Sequence, residues 1–91
     1  MNAHSRQRLV DLQPAQQAGI LCNDPQFQQY AAIRCGFPKQ QFNASAAAQY
    51  LRECCQIDSR TLLNTCPAAY SKLAALRTDF DAWAGKIATP R

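Results

Sequence analysis

An apolar stripe near the C-terminus constrains the fold of this chain more than any other feature. Its members recur in steps of four and three residues: Ala69, Leu73, Leu76, Phe80, Trp83 and Ile87. This spacing places them on one face of an α-helix, and such a helix is stable only when another surface covers that face. The stripe could also serve as a homodimer seam, because steps of four and three define a heptad. It spans fewer than three full heptads, so we favour packing within the chain.

The rest of the sequence also favours helices. No stretch alternates apolar and polar residues for long enough to predict a strand, and alanine and glutamine, which are frequent here, favour helix. A chain of 91 residues has room for one thin core. We therefore predict an all-α, single-domain bundle of about four to five helices with a long C-terminal helix. It should comprise residues 13–87, between a flexible N-terminal segment, 1–12, and a flexible tail, 88–91.

Prolines, glycines and small polar residues mark the expected helix ends. Proline fits the first turn of a helix, small polar side chains cap its free N–H groups, and glycine commonly ends it. The predicted starts are Pro14, Asp24 with Pro25, Asn43 or Ser45, Asp58 or Ser59, and Thr65 with Pro67, and the predicted ends include Gly36 and Gly85. Between Gly36 and Asn43 we expect a loop whose Phe37 and Phe42 fold back onto the core.

Helical spacing also predicts which side chains face inward. Before the last helix these are Phe27, Tyr30, Ala31, Ala47, Tyr50, Leu51, Cys54, Ile57 and Leu62. Ile57 is the expected buried anchor of a corner between the third and fourth helices, with Arg52 and Arg60 pointing outward. Arg77 and Asp81 are four residues apart on the last helix, so we expect a weak surface ion pair there.

The sequence lacks the residue patterns that catalysis or metal binding requires. The five cysteines include no C-x2-C unit, and the single histidine, His4, lies in the segment predicted to be flexible. A cysteine nucleophile needs a nearby base, and a structural zinc site needs closely spaced ligand pairs. We therefore predict a protein that is not an enzyme, with no catalytic residues, no cofactor and no metal.

The sequence also lacks membrane and export signals. No segment approaches the roughly 18 to 20 apolar residues that a membrane helix needs, and no apolar run follows Arg6 and Arg8 as it would in a secretory signal. We expect a cytoplasmic protein that has no membrane contact. In that setting its cysteines stay reduced and act as small apolar side chains.

The charge balance permits nucleic acid or an acidic protein surface as a partner. The formal net charge is +4 and the pI is about 9.0. Arginine, which outnumbers lysine seven to three, suits bidentate contacts to phosphate or carboxylate. The predicted partner-binding residues are Arg34, Phe37, Lys39, Phe42, Arg52, Arg60, Lys72 and Arg77.

A helix-turn-helix is the alternative interpretation of residues 47–64. Ala48, Leu51 and Ile57 would supply its packing positions, and Ser59, Arg60 and Thr61 would face the major groove of DNA. Two features depart from that motif. Gln56 occupies a position where glycine is common, and the second helix is expected to end by Asn64.

Three stretches together resemble short proteins encoded by phages and integrated mobile elements of proteobacteria. They are QQAGILCNDPQFQQYAA, AAAQYLRECCQIDSRTLLN and AYSKLAALRTDFDAW, which lie within about residues 16 to 83. The resemblance implies a context that includes anti-CRISPR inhibitors and accessories of phage recombination or replication. Many such inhibitors carry a strongly acidic surface that mimics DNA, and a chain at +4 departs from that pattern.

From this resemblance and the missing catalytic pattern we predict a non-enzymatic interaction protein. It would bind stoichiometrically to a protein or ribonucleoprotein complex of a bacterial host, as an anti-CRISPR-like inhibitor does. Its basic residues would contact RNA, DNA or an acidic subunit. We expect a monomer or a homodimer. The rival function is a DNA-binding regulator that uses the helix-turn-helix.

Overall fold

The computed structural model describes residues 12–85, and every regular element in that range is helical. There are four α-helices and one 3-10 helix, η1: α1 (Pro14–Cys22), α2 (Pro25–Arg34), α3 (Ala44–Cys55), η1 (Arg60–Asn64) and α4 (Pro67–Trp83). The predicted all-α bundle with a long C-terminal helix is confirmed. The expectations for residues 1–11, Ile87 and the tail lie outside the described residues.

The predicted helix ends of α2 and α3 are confirmed by their hydrogen bonds. The Asp24 side chain accepts from the amide of Gln26 at 2.9 Å, and Asn43 Oδ1 accepts from the amide of Ala46 at 2.8 Å. Gly36 follows α2 with a φ of 93°, and the next amide donates back to Ala32 at 2.8 Å. A glycine in the left-handed conformation, followed by an amide that donates back to the helix, commonly satisfies the last carbonyl groups of a helix.

The predicted cap of α4 is wrong by one residue. Cys66, and not Thr65, is the N-cap, and its side chain makes no capping hydrogen bond. The Thr65 hydroxyl instead donates to the carbonyl of Leu62 at 3.4 Å, because the turn that ends η1 runs directly into α4. Gly85 lies just past the end of α4 with a φ of 78°, as predicted.

Aromatic rings from α2 and α4 form the centre of the core. Phe27 and Phe80 are fully buried, with ring centroids 5.3 Å apart in an edge-to-face arrangement. Tyr30 packs against Phe80 at 5.4 Å. Trp83 stacks beside Phe80 but is 41% exposed, so the predicted stripe on α4 is buried along most of its length and reaches solvent at its end. α3 packs against α1, α2 and α4 and closes the bundle.

Two predicted inward positions on α3 are half-buried rather than buried. Tyr50 and Cys54 lie at the rim of the core, whereas Cys55 is only 2% exposed. The buried face of α3 follows steps of four residues from Ala47 to Leu51 to Cys55. Cys54 thus packs against the core at its rim, as Tyr50 does, and Cys55 takes the fully buried position that the sequence assigned to Cys54.

The predicted orientation of Leu62 is also wrong. Leu62 is 42% exposed, while Leu63 is 1% exposed and packs into the core. The sequence argument assumed an α-helix of about 3.6 residues per turn, but η1 is a 3-10 helix, which has about three. The tighter turn presents the next leucine to the core. Ile57 is half-buried and packs against the core cluster.

The predicted ion pair between Arg77 and Asp81 does not form. The Arg77 guanidinium instead donates a hydrogen bond to the side-chain carbonyl of Gln17 on α1. Gln17 is 1% exposed, and its amide nitrogen donates to the carbonyl of Leu12 at 2.9 Å. Loss of these hydrogen bonds would leave the buried side-chain amide of Gln17 unsatisfied and would lower the stability of the fold. The Arg77 guanidinium on α4 is therefore tied to α1.

Candidate anion-binding cleft

The predicted partner-binding residues separate into four places on the surface. Arg52 and Arg60 line one cleft, and Arg34 and Lys72 line a second. Phe37 and Phe42 pair with each other beside exposed Lys39. Arg77 lies apart, bound to Gln17. The structure therefore brings together the two arginines that the sequence placed on either side of the corner.

The first cleft, which we call the arginine cleft, lies where the end of α1, one face of α3 and the start of η1 meet. Its volume is about 300 Å³, and it is lined by Cys22, Asn23, Ala44, Ser45, Ala48, Arg52 and Arg60. Ala44, Ala48 and Arg52 follow one another in steps of four, so they share one face of α3. Arg60, the first residue of η1, lines the same cleft.

The turn between α3 and η1 directs Arg60 toward the cleft. Gln56 ends α3 in the left-handed conformation, with φ 59° and ψ 47°. The amide of Ile57 then donates to the carbonyl of Arg52 at 3.0 Å, which reverses the chain. The side chain of Ser59 caps η1 by accepting from the amide of Thr61. Gln56 thus takes the conformation that glycine commonly supplies in such turns.

Contacts between α1 and η1 hold η1, and with it the backbone of Arg60, against α1. Asn64 Oδ1 accepts from the backbone amide of Ala15 at 2.9 Å, and Asn64 Nδ2 donates to Oε1 of Gln13 at 3.3 Å. A Cβ atom built on Gly19 would lie 3.6 Å from Nη1 of Arg60. The guanidinium therefore passes close over α1 at the one residue of that helix that has no side chain.

The arginine cleft is electropositive, and among residues 12–85 no carboxylate lines it. Within residues 12–85 the ion pair that forms joins Arg34 to Asp79, so Arg52 and Arg60 have no acidic partner there. The cleft also contains the start of α3, whose first N–H groups have no partner within the helix and whose dipole favours anions. Two guanidinium groups that converge without a counter-charge favour an anionic ligand.

The thiol in the arginine cleft stays neutral. Burial raises the pKa of Cys22, although the charge of Arg60, its hydrogen bond and the charge of Arg52 act in the opposite direction. Burial likewise raises the pKa of Cys55 to about 11. A neutral thiol is a poor nucleophile, so these groups do not supply reactive thiolates near neutral pH.

The second cleft, of about 430 Å³, lies between α2, α3 and α4 and holds a polar network. The Tyr30 hydroxyl and Nη2 of Arg34 both donate to Oδ2 of Asp79, the latter at 2.7 Å. The Arg34 guanidinium also lies 5.2 Å from the centre of the Tyr30 ring. Arg34 is thereby neutralised by a neighbour, which leaves Lys72 as the other cation of this cleft.

The two loop aromatics do not both fold back onto the core. Phe42 is half-buried and packs against it, and its amide donates to the carbonyl of Gln28 at 3.3 Å. Phe37 is 47% exposed, with its ring centroid 6.2 Å from that of Phe42. Glu53 lines the cleft beside this pair, so the site is less electropositive than the arginine cleft.

Sequence reasoning missed Ser45, which lines the arginine cleft, and Gly19, which lies beside the Arg60 guanidinium. The sequence predicts only a capping role for Ser45 and no role for Gly19. A glycine inside a helical pattern often marks a close approach of another group, and Gly19 carried that signal.

Other kinds of site have no counterpart in the part of the chain that the structure describes. No three histidine, cysteine, aspartate or glutamate side chains gather there in a way that could hold a metal ion. Among the helices of residues 12–85, none is both long enough and apolar enough to span a membrane.

No protein-family model matches the sequence, and comparisons with curated proteins and with solved structures found no significant match. The site is therefore interpreted from the residues of this chain alone.

Proposed function

We propose that this protein is a non-enzymatic interaction protein that binds stoichiometrically to bacterial nucleic-acid machinery. The narrower form of the proposal is an anti-CRISPR-like inhibitor of a nucleoprotein effector, in the mobile-element context that the sequence resemblance implies. The observation that carries it is that Arg52 and Arg60 line one cleft to which the described residues contribute no carboxylate.

The geometry of the arginine cleft suits binding better than chemistry. Among residues 12–85 no carboxylate or histidine lines it as a general base, and the Cys22 thiol is kept neutral by burial. A nucleophile without a base or a lowered pKa is weakly reactive. Paired arginines in a rigid, preformed cleft instead provide directed contacts to an anionic group, and arginine is enriched among residues that dominate binding energy.

The rival function, a helix-turn-helix regulator, lacks a suitable recognition element. After the turn at Gln56, residues 60–64 form a 3-10 helix of five residues. At about 2 Å per residue such a helix is about 10 Å long, and η1 packs against both α1 and α4. A recognition helix must enter the major groove with its polar face free, so the arginine cleft supports the interaction protein better.

The experiment is a titration of purified CRISPR effector complexes, both single-subunit and multi-subunit, with the purified protein. Size-exclusion chromatography with light scattering would measure the ratio in any complex, and cleavage of target DNA would measure inhibition. We expect co-elution at a fixed ratio with one class of effector and inhibition that saturates at that ratio. The variant Arg52→Glu/Arg60→Glu should abolish both effects, whereas Lys39→Glu, at an exposed loop position, should not. Absence of co-elution and inhibition with every effector would contradict the anti-CRISPR-like form.

A further inference from the structure

We infer that the arginine cleft binds a phosphate group of a nucleic-acid backbone, held between Arg52 and Arg60. This inference rests on the proposed function, because it names the chemical group that the protein would engage in its partner. Nucleic acid and an acidic protein surface are both compatible with net charge alone. The arrangement of donors in the cleft distinguishes them.

The donors of the cleft come from two different elements. Arg52 belongs to the last turn of α3, and Arg60 is the first residue of η1. Each guanidinium presents its N–H groups in a planar fork. The two oxygens of a carboxylate lie in one plane and match one such fork, whereas the two non-bridging oxygens of a backbone phosphate diverge tetrahedrally from phosphorus, so that each can accept from a different fork.

Small side chains leave the space between the two arginines open. Ala44, Ala48 and the hydroxymethyl group of Ser45 line the floor on α3. The Ser45 hydroxyl adds a donor that can turn toward a phosphate oxygen. With a volume of about 300 Å³, the cleft is at the lower end of the range for ligand sites, which suits one backbone phosphate better than a whole base.

The cleft can bind an anion without breaking an ion pair among residues 12–85. Neither arginine has an acidic partner among residues 12–85, in contrast to Arg34, which lies 2.7 Å from Asp79. The hydrogen bonds of Asn64 to the start of α1 fix η1, and with it the backbone of Arg60, before any ligand arrives. Less conformational entropy is then lost on binding, which is how preorganised sites gain affinity.

The test measures binding of a fluorescein-labelled single-stranded RNA of about 20 nucleotides by anisotropy, between roughly 50 and 200 mM salt. A DNA duplex of the same length tests the second source of backbone phosphate. The key variant is Arg52→Gln/Arg60→Gln. The matched control, Lys39→Gln/Lys72→Gln, removes the same two charges from elsewhere on the surface.

We expect the arginine variant to bind at least about tenfold more weakly and to lower the salt slope by about one, as loss of one to two phosphate contacts predicts. The lysine control should change affinity by less than about threefold. In ¹⁵N spectra, inorganic phosphate and the RNA should shift the same signals, namely Arg52 Nε, Arg60 Nε and the amide of Ser45. Preference for the RNA or for the duplex would identify the source of the phosphate.

Two results would overturn the inference. One is equal loss of affinity in the arginine variant and the lysine control, since binding would then depend on net charge alone. The other is polyglutamate binding to the arginine cleft as tightly as the RNA does. If an effector complex still co-eluted with the protein in either case, the proposed function would stand without the phosphate contact. RNA binding through the cleft without any stoichiometric partner would support the phosphate site and contradict the proposed function.

Discussion

The guanidinium of Arg60 passes over Gly19, with Nη1 lying 3.6 Å from the point where a Cβ atom of residue 19 would stand. Because 3.6 Å is an ordinary van der Waals distance, a methyl group fits there and a larger side chain does not. The backbone of α1 and the position of Arg60 are therefore linked through this residue.

Substitutions at Gly19 should separate helix stability from the arginine cleft. Gly19→Ala should raise the free energy of unfolding by about 0.5–1 kcal/mol, because alanine favours helix and its methyl group is accommodated. RNA binding should be unchanged. Gly19→Leu should displace the Arg60 side chain and weaken RNA binding several-fold without altering any charge. Urea unfolding and anisotropy would measure both effects, and tighter or unchanged RNA binding by Gly19→Leu would show that Arg60 does not depend on α1.

The two adjacent leucines of η1 should differ sharply in their contribution to stability. Leu63→Ala should lower the free energy of unfolding by about 2–4 kcal/mol, since it removes a fully buried side chain. Leu62→Ala is the matched control and should cost less than about 1 kcal/mol, because Leu62 is 42% exposed. Urea unfolding of both variants measures the difference. If Leu62→Ala were the more damaging change, residues 60–64 would be α-helical in the register that the sequence suggested.

The Asp79 carboxylate should contribute more through Tyr30 than through Arg34. Asp79→Ala leaves the hydroxyl of a buried tyrosine without its acceptor, which should cost about 1–2 kcal/mol. Arg34→Gln should cost less than about 1 kcal/mol, because both side chains of that ion pair are about half exposed.

Double-mutant cycles measure how strongly the two side chains of each pair interact. The Arg34 and Asp79 cycle should show a coupling of a few tenths of a kcal/mol, and the cycle for Arg77 and Asp81 should show none within error. A measurable coupling between Arg77 and Asp81 would mean that the surface ion pair predicted from the sequence forms after all.

Stability should fall at alkaline pH. Burial raises the pKa of Cys55 to about 11, and burial also raises the pKa of Tyr30 and Tyr50. In the unfolded chain these groups ionise first, at about pH 8.5 for cysteine and about pH 10 for tyrosine. Their stabilising contribution is thus complete below those values and is lost as the pH rises toward the folded-state pKa.

Between about pH 6 and 8 the titration of these groups should leave the free energy of unfolding unchanged. Above about pH 9 the free energy of unfolding should decline. Each group adds a slope of at most about 1.4 kcal/mol per pH unit. Denaturant unfolding at stepped pH measures the curve, and Tyr50→Phe should reduce its slope above about pH 10. A free energy that stayed constant to pH 11 would contradict the burial of these groups.

Local chemistry made much of the fold predictable. The caps at Asp24 and Asn43 and the glycine after α2 depend on residues within a few positions of each other, so the sequence alone revealed them. The burial of Leu63 in place of Leu62 could not be predicted in the same way. It depends on η1 being a 3-10 helix, which its packing against α1 and α4 favours.

The candidate site was only partly predictable for the same reason. Sequence spacing placed Arg52 and Arg60 outside the core, but their convergence depends on the left-handed turn at Gln56, a conformation uncommon for a residue with a side chain. The partner of Arg34 lies 45 residues away, on another helix, and no local pattern identifies it. Pairings of this kind follow from tertiary packing.

The most direct test of the central claim is affinity capture from a bacterial lysate that contains CRISPR effectors and recombination proteins. The tagged wild-type protein and the variant Arg52→Glu/Arg60→Glu would be compared, before and after nuclease treatment, once circular dichroism has shown that the two are equally folded. We predict that the wild-type protein retains one defined nucleoprotein complex, at a fixed ratio, whose protein subunits survive the nuclease, and that the variant retains none of it. Equal recovery of that complex by the folded variant would contradict the role of the arginine cleft. Recovery of only nucleic acid, which disappears after nuclease treatment, would contradict the proposed function.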